Sequence, residues 1–211
     1  MPDDNHGPAI PAPEPPKPPK SGGGTPAPPG SGDPVPETGN AQTDKAVNFY
    51  NQLIEKCGST LAVDNDQYLC LNSIDMPNNI RETLKADLRS MDNARSTIPE
   101  FQCVIAARAF LGVASGYTFP GIGSKTDLID MVGKNHGRLQ WIANNGTNKP
   151  QPNDLAISTF GGTRGHISYV IAVGGDKYSV IESNKGWNGY LSKSDHAYPG
   201  NKDVKGWFRL Q

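Results

Sequence analysis

The sequence predicts an α+β fold: amino-terminal helices packed on a carboxy-terminal antiparallel β-sheet, preceded by a disordered Pro/Gly-rich tail. Three observations predict it. Of the 19 prolines, 13 lie before residue 40, where they remove backbone donors that helices and sheets need. From Thr43 to Gly116 apolar residues recur at helical spacing. After Pro150 the pattern changes to short apolar or alternating runs divided by glycines, the mark of strands in a meander. Helices first and strands after place the helices on one side of a sheet.

The boundaries follow from composition. Residues 1–42 read as a linker: PAPEPPKPPK favours extended polyproline II, and SGGGTPAPPGSG is a flexible joint. A spacer is the plain reading, ahead of an SH3-type ligand. Such a tether holds a domain away from something upstream, so an anchor or export signal is expected to have preceded Met1. Residues 43–95 read as a helical elaboration and 96–211 as the core, the two forming one globular unit.

The first helix is expected over AQTDKAVNFYNQLIEKC, with Thr43 or Asp44 as N-cap and Gly58 as the stop. A second starts near Pro77 and carries Ile80, Leu84, Leu88 and Met91 on one face. FQCVIAARAFLGVA makes a third, short and strongly apolar, ended by Gly116, and KTDLIDMVGKN (125–135) a fourth. DLAISTF, GHISYVIAV, KYSVIES and GWFRLQ are the expected strands, with a hairpin turn at Gly174-Gly175.

Composition excludes several classes of function. With 20 Lys+Arg against 21 Asp+Glu, no basic footprint for nucleic acid exists. No apolar run approaches the ~20 residues of a membrane span. The amino terminus lacks the basic and apolar regions of a signal peptide. The chain is expected to be a monomer.

Three cysteines are too few for a disulfide scaffold. Cys57 and Cys70 stand close in sequence, at a helix end and before the next helix. A disulfide is favoured over two buried thiols, and a zinc site is disfavoured, because ligand-spaced CxxC or His pairs are missing. Cys103 begins the third helix, where unsatisfied N–H groups and the helix dipole favour a thiolate. A plain core cysteine is the competing reading. The balance moves when a base is sought among four histidines. His6 lies in the tail; His136 and His196 sit in polar, turn-like surroundings and read as solvated. His166 opens an apolar strand just after a glycine, well placed to meet a helix N-terminus. Alternation on the next strand puts Tyr178, Val180, Glu182 and Asn184 on one face. The hairpin then brings Glu182 and Asn184 near His166; either one can orient the imidazole.

FQCVIAARAF, PNDLAISTF, GHISYVIAV, YSVIESNKG and GWFRLQ, in that order, resemble a CHAP domain, the cysteine- and histidine-dependent amidohydrolase/peptidase module. The resemblance covers roughly residues 95–211. It implies a papain-like architecture, with Cys103 as nucleophile, His166 as general base, and Glu182 and Asn184 as the residues orienting the ring. It also implies peptidoglycan as substrate, cut either at the N-acetylmuramoyl-L-alanine amide or in the peptide stem and cross-bridge. The calcium site of some members needs clustered aspartates. Here Asp92 stands alone and Ile105 follows the cysteine, so neither calcium nor any other metal or cofactor is expected.

Gln102 is a candidate second oxyanion donor, and Trp141, Trp187 and Tyr190 are candidates for lining a substrate groove, against plain core packing for each aromatic. An extracytoplasmic location is expected, secreted or tethered at the cell surface. Three alternatives remain: a wall-binding module that keeps the fold without the chemistry, a papain-like amidase or transglutaminase-type enzyme on another substrate, and a structural or adhesive surface domain, which would leave the Cys–His–Glu/Asn series as coincidence.

Overall fold

The computed structural model describes residues 35–58, 69–93, 102–119, 137–159, 165–183 and 190–211. Most of the expected tail, the helix expected over 125–135, and the residues His6, His136, Asn184 and Trp187 lie outside them.

Helix α1 (Ala41–Cys57) begins before its expected cap. Asn40 is the cap: its side-chain oxygen accepts from the backbone N–H groups of Gln42 and Thr43. The two expected caps are otherwise engaged. Asp44 accepts from the Thr38 N–H and hydroxyl, and the buried Thr43 donates to Asn153 Oδ1 at 3.0 Å. Gly58 stops the helix as expected, at φ 78°. Packing starts earlier than residue 43. Val35 is buried, and its N–H and carbonyl both bond the Asn51 side chain at 2.7 Å.

A 3-10 turn (Leu69–Ser73) leads to α2 (Asn78–Asn93), whose Ile80, Leu84 and Leu88 are buried as the periodicity requires. Arg81 of α2 ties the turn down through the carbonyls of Leu71, Ile74 and Met76. Cys57 and Cys70 form a disulfide that joins the end of α1 to this turn.

Helix α3 (Cys103–Ser115) is apolar almost all round because it is covered on several sides. Phe110 meets the rings of Phe49 and Tyr50 from α1 at 5.9 and 6.3 Å, and Tyr169 of the sheet at 6.1 Å. Where α2 crosses α3, a Cβ on Gly112 would stand 2.9 Å from Ile80 Cδ1, so glycine permits the close approach.

The sheet has six strands, every neighbouring pair antiparallel: β1 (Leu139–Ala143), β2 (Leu155–Ser158), β3 (His166–Gly174), β4 (Lys177–Ser183), β5 (Leu191–Ala197) and β6 (Val204–Leu210), in the order β1-β6-β2-β3-β4-β5. The fold is α+β, with helices before the sheet. Two strands exceed the sequence expectation, and both are edges. β5 is polar (LSKSDHA) and pairs only with β4; charged, alternating sequence is how edge strands resist further pairing. β1 lies before Pro150, where the change of pattern was expected.

The β3–β4 hairpin turns through Gly175-Asp176, one residue beyond the expected pair, with Gly174 opposite Lys177. One face of the sheet carries Leu155, Ile157, Ile167, Tyr169, Ile181 and Phe208 into the core under α1 and α3. A smaller cluster on the other face gathers Ala156, Val170, Tyr178, Val180, Tyr198 and Trp207.

Candidate active site

The site lies at one end of the sheet, and chain direction explains why. In an antiparallel meander the start of β3, the end of β4 and the start of β5 share one end. His166 opens β3 opposite Ser158 of β2. Glu182 is next to last on β4, opposite Ser192 of β5. The β3–β4 register, Val170 on Val180, extrapolates to Ser168 beside Glu182 and makes His166 its diagonal neighbour.

Cys103 is the first residue of α3. Gln102 precedes it in extended conformation (φ −68°, ψ 150°), makes no side-chain cap, and accepts the Ala106 N–H on its carbonyl at 3.0 Å. The N–H groups of Cys103, Val104 and Ile105 therefore precede the helical ladder and carry the positive end of the helix dipole. Cys57 and Cys70 are bonded to each other, so Cys103 is the free thiol, and it is partly exposed.

These elements bring His166 and Glu182 into contact, with Cys103 close by. His166 Nε2 lies 2.7 Å from Glu182 Oε2, both groups buried, at 6% and 0% side-chain exposure. Cys103 lies near enough to the same ring to raise its proton affinity. With Nε2 taken by the carboxylate, Nδ1 is the nitrogen left for sulfur. The electrostatics run one way. Burial alone pulls the His166 pKa down, but the hydrogen bonds and charges of Cys103 and Glu182 outweigh it and lift it to about 10. Burial pushes Glu182 up. The hydrogen bonds of His166 and His196, the His166 charge and the Ser194 hydroxyl outweigh that, holding its carboxyl far below the usual carboxylate range. Both shifts favour an imidazolium on a carboxylate.

Of the two residues expected to orient the ring, Glu182 is within hydrogen-bond distance of it; Asn184 lies outside the described residues. Of the groove candidates, Tyr190 is half-buried just before β5, at the His166 end of the sheet. Trp141 is on β1, three strand positions from β3, or ~14 Å at the usual strand spacing. It packs on Phe208 at 4.9 Å and over Gly206, whose φ of 150° and lack of a Cβ make room for the indole. The described structure therefore sets it apart from the cluster. Trp187 is outside the described residues.

His196 corrects the sequence reading. It is not solvated in a turn: it lies on β5, 8% exposed, with Nε2 3.6 Å from Glu182 Oε1. The signal was present in the alternation of KSDHAY: Lys193 and Asp195 are exposed, whereas His196 and Tyr198 on the other face are buried. Among the described residues no group of three or more His, Cys, Asp or Glu is arranged to hold a metal ion. No described helix is long and apolar enough to cross a membrane.

No protein-family model and no curated protein sequence matches the chain. Solved structures similar to it include Ly7917, at 16% identity over 62% of each chain with a TM-score of 0.41. Ly7917 with the hydrolyzing product of MDP gives 17% identity over 62% of each chain and a TM-score of 0.40. An N-acetylmuramoyl-L-alanine amidase from Staphylococcus aureus gives 14% identity over 77% of this chain and 46% of that one, with a TM-score of 0.40. The matched part is thus less than two thirds of each of these proteins.

Proposed function

We propose that the chain is a cysteine-dependent amide hydrolase of papain-like architecture acting on peptidoglycan. The single observation that carries the chemistry is the His166–Glu182 pair, 2.7 Å apart, with the free Cys103 thiol at the head of α3 beside the ring. A thiol becomes a strong nucleophile only when ionised, and an imidazole that binds its proton tightly beside it supplies the counter-charge. The choice of peptidoglycan rests on the resemblance of five sequence blocks to the CHAP module.

His166 holds the proton of the Cys103 thiol. Sulfur attacks the amide carbonyl, and the resulting oxyanion meets the Cys103 N–H at the head of α3. Gln102 is the proposed second donor. The imidazolium passes its proton to the leaving amine as the tetrahedral intermediate collapses to a thioester. His166 then takes a proton from water, which attacks the thioester and frees the carboxylic product and the thiol. Glu182 remains ionised throughout and keeps the ring aligned. Asn184 is proposed to border the same ring, and Tyr190 and Trp187 to flank the entering peptide. Residues 43–95 and 96–211 form one unit, with the preceding segment as spacer. The Cys57–Cys70 disulfide fits an oxidising, extracytoplasmic site of action.

Mass spectrometry of muropeptides after digestion of purified peptidoglycan tests the reading. New free amino termini in the stem or cross-bridge mark an endopeptidase, and a free L-Ala amino terminus marks the amidase. Undigested peptidoglycan alongside cleavage of unrelated peptides or glutamine amides would transfer the site to another substrate.

A further inference from the structure

The Cys103–His166–Glu182 series does not end at Glu182. Its second carboxylate oxygen, Oε1, faces β5, where His196 Nε2 stands 3.6 Å away and the Ser194 hydroxyl also reaches the carboxylate. We propose that His196 is a positioning residue for this site, holding Glu182 so that Oε2 stays aimed at His166. This rests on the hydrolase reading above and extends its machinery to the edge strand.

Three observations support it. A carboxylate turns easily about its last torsion, which is broad and two-fold. His166 binds Oε2, and the carboxylate is met from β5 by the Ser194 hydroxyl and, at Oε1, by His196. The His196 ring is itself fixed: it is 8% exposed and packs on Tyr178, its register partner, at 5.4 Å between centroids. Tyr178 is held in turn by Tyr198 at 6.3 Å. The two contacts are also graded. At 2.7 Å the His166 bond is short, while the His196 contact, at 3.6 Å, is the longer and weaker of the two. A buried imidazole on an otherwise polar edge strand is costly unless it has such a partner.

The titratable groups facing Glu182 are His166 from β3, His196 from β5 and Tyr178 from its own strand, with Cys103 of α3 beyond His166. Burial and the Glu182 charge keep the Tyr178 phenol protonated far above neutral pH. It therefore takes no part in the titration.

The test uses His196→Phe, which keeps a ring against Tyr178 and removes the nitrogens, and His196→Gln, which returns a donor. Iodoacetamide alkylation of Cys103 is followed against pH; its alkaline inflection reports proton loss from His166 and needs no substrate. In His196→Phe the inflection falls by about one unit, a tenfold loss of proton affinity. kcat on a soluble muropeptide drops while KM holds, and His196→Gln recovers most of both effects. In a Glu182→Gln background His196→Phe changes neither. An unmoved inflection in folded His196→Phe overturns the proposal, as does an equal further loss in the Glu182→Gln background. If the wild type leaves peptidoglycan intact, the substrate reading fails, and the alkylation profiles still decide the role of His196.

Discussion

At the scale of single residues, the proposed chemistry rests on where one proton sits. The His166 pKa is raised from 6.5 to about 10 in the folded chain. Its protonated form therefore contributes stability that is complete below pH 6.5 and lost as pH rises through about 10. Glu182 behaves oppositely: its pKa is lowered from 4.5, so its contribution is present above that pH and lost as the medium acidifies through the depressed value. Thermal melts across pH should show both flanks, and Glu182→Gln should flatten them. The alkaline limb of kcat/KM should also move down by about one to three units in Glu182→Gln, because the carboxylate no longer holds the imidazolium. A limb unchanged by that substitution would remove Glu182 from its proposed orienting role. The positions of Cys103, His166 and Glu182 were legible in sequence because each occupies a marked place: a helix start, a strand start after glycine, an apolar strand's far end. His196 was passed over, since its strand is polar and only the alternation of KSDHAY marks its buried face.

At the scale of elements, helices read well where burial follows the 3.6-residue period. The cap of α1 was misplaced because Asn40, Thr43 and Asp44 are all cap-forming types. A tertiary bond of Thr43 to Asn153 and a local bond of Asp44 to Thr38 chose among them. Asn40→Ala should cost about 1 kcal/mol in denaturant unfolding, the usual worth of such a cap; no loss would mean that Gln42 and Thr43 find other partners. The disulfide closes a loop between Cys57 and Cys70, 13 positions apart. Replacing both by Ser should lower stability by about 3 kcal/mol in the loop-entropy account while leaving Cys103 alkylation unchanged. A change in that alkylation would show that the bond shapes the site as well. The edge strands were missed for one physical reason: a strand paired on one side and wet on the other needs no apolar pattern.

At the scale of the whole molecule, one core is shared by both expected parts. Phe49, Tyr50 and Leu53 of α1 belong to the same buried cluster as Phe110 of α3 and Tyr169, Ile181 and Phe208 of the sheet. Residues 96–211 alone would expose that surface, so fluorescence and circular dichroism should report a single coincident unfolding transition for the full chain. Two separated transitions would make the helical part an independent domain. The class of fold was legible because helices and strands occupy separate stretches of sequence. The sheet order was not, since β6 returns between β1 and β2 by long-range pairing that no local pattern encodes.

The most direct measurement is hydrolysis of purified peptidoglycan by Cys103→Ala beside the wild type, with circular dichroism showing both folded. The account predicts a fall in rate of about a thousandfold or more, since loss of a nucleophile leaves only binding and oxyanion stabilisation. Release of muropeptides by the folded variant at close to the wild-type rate would contradict it.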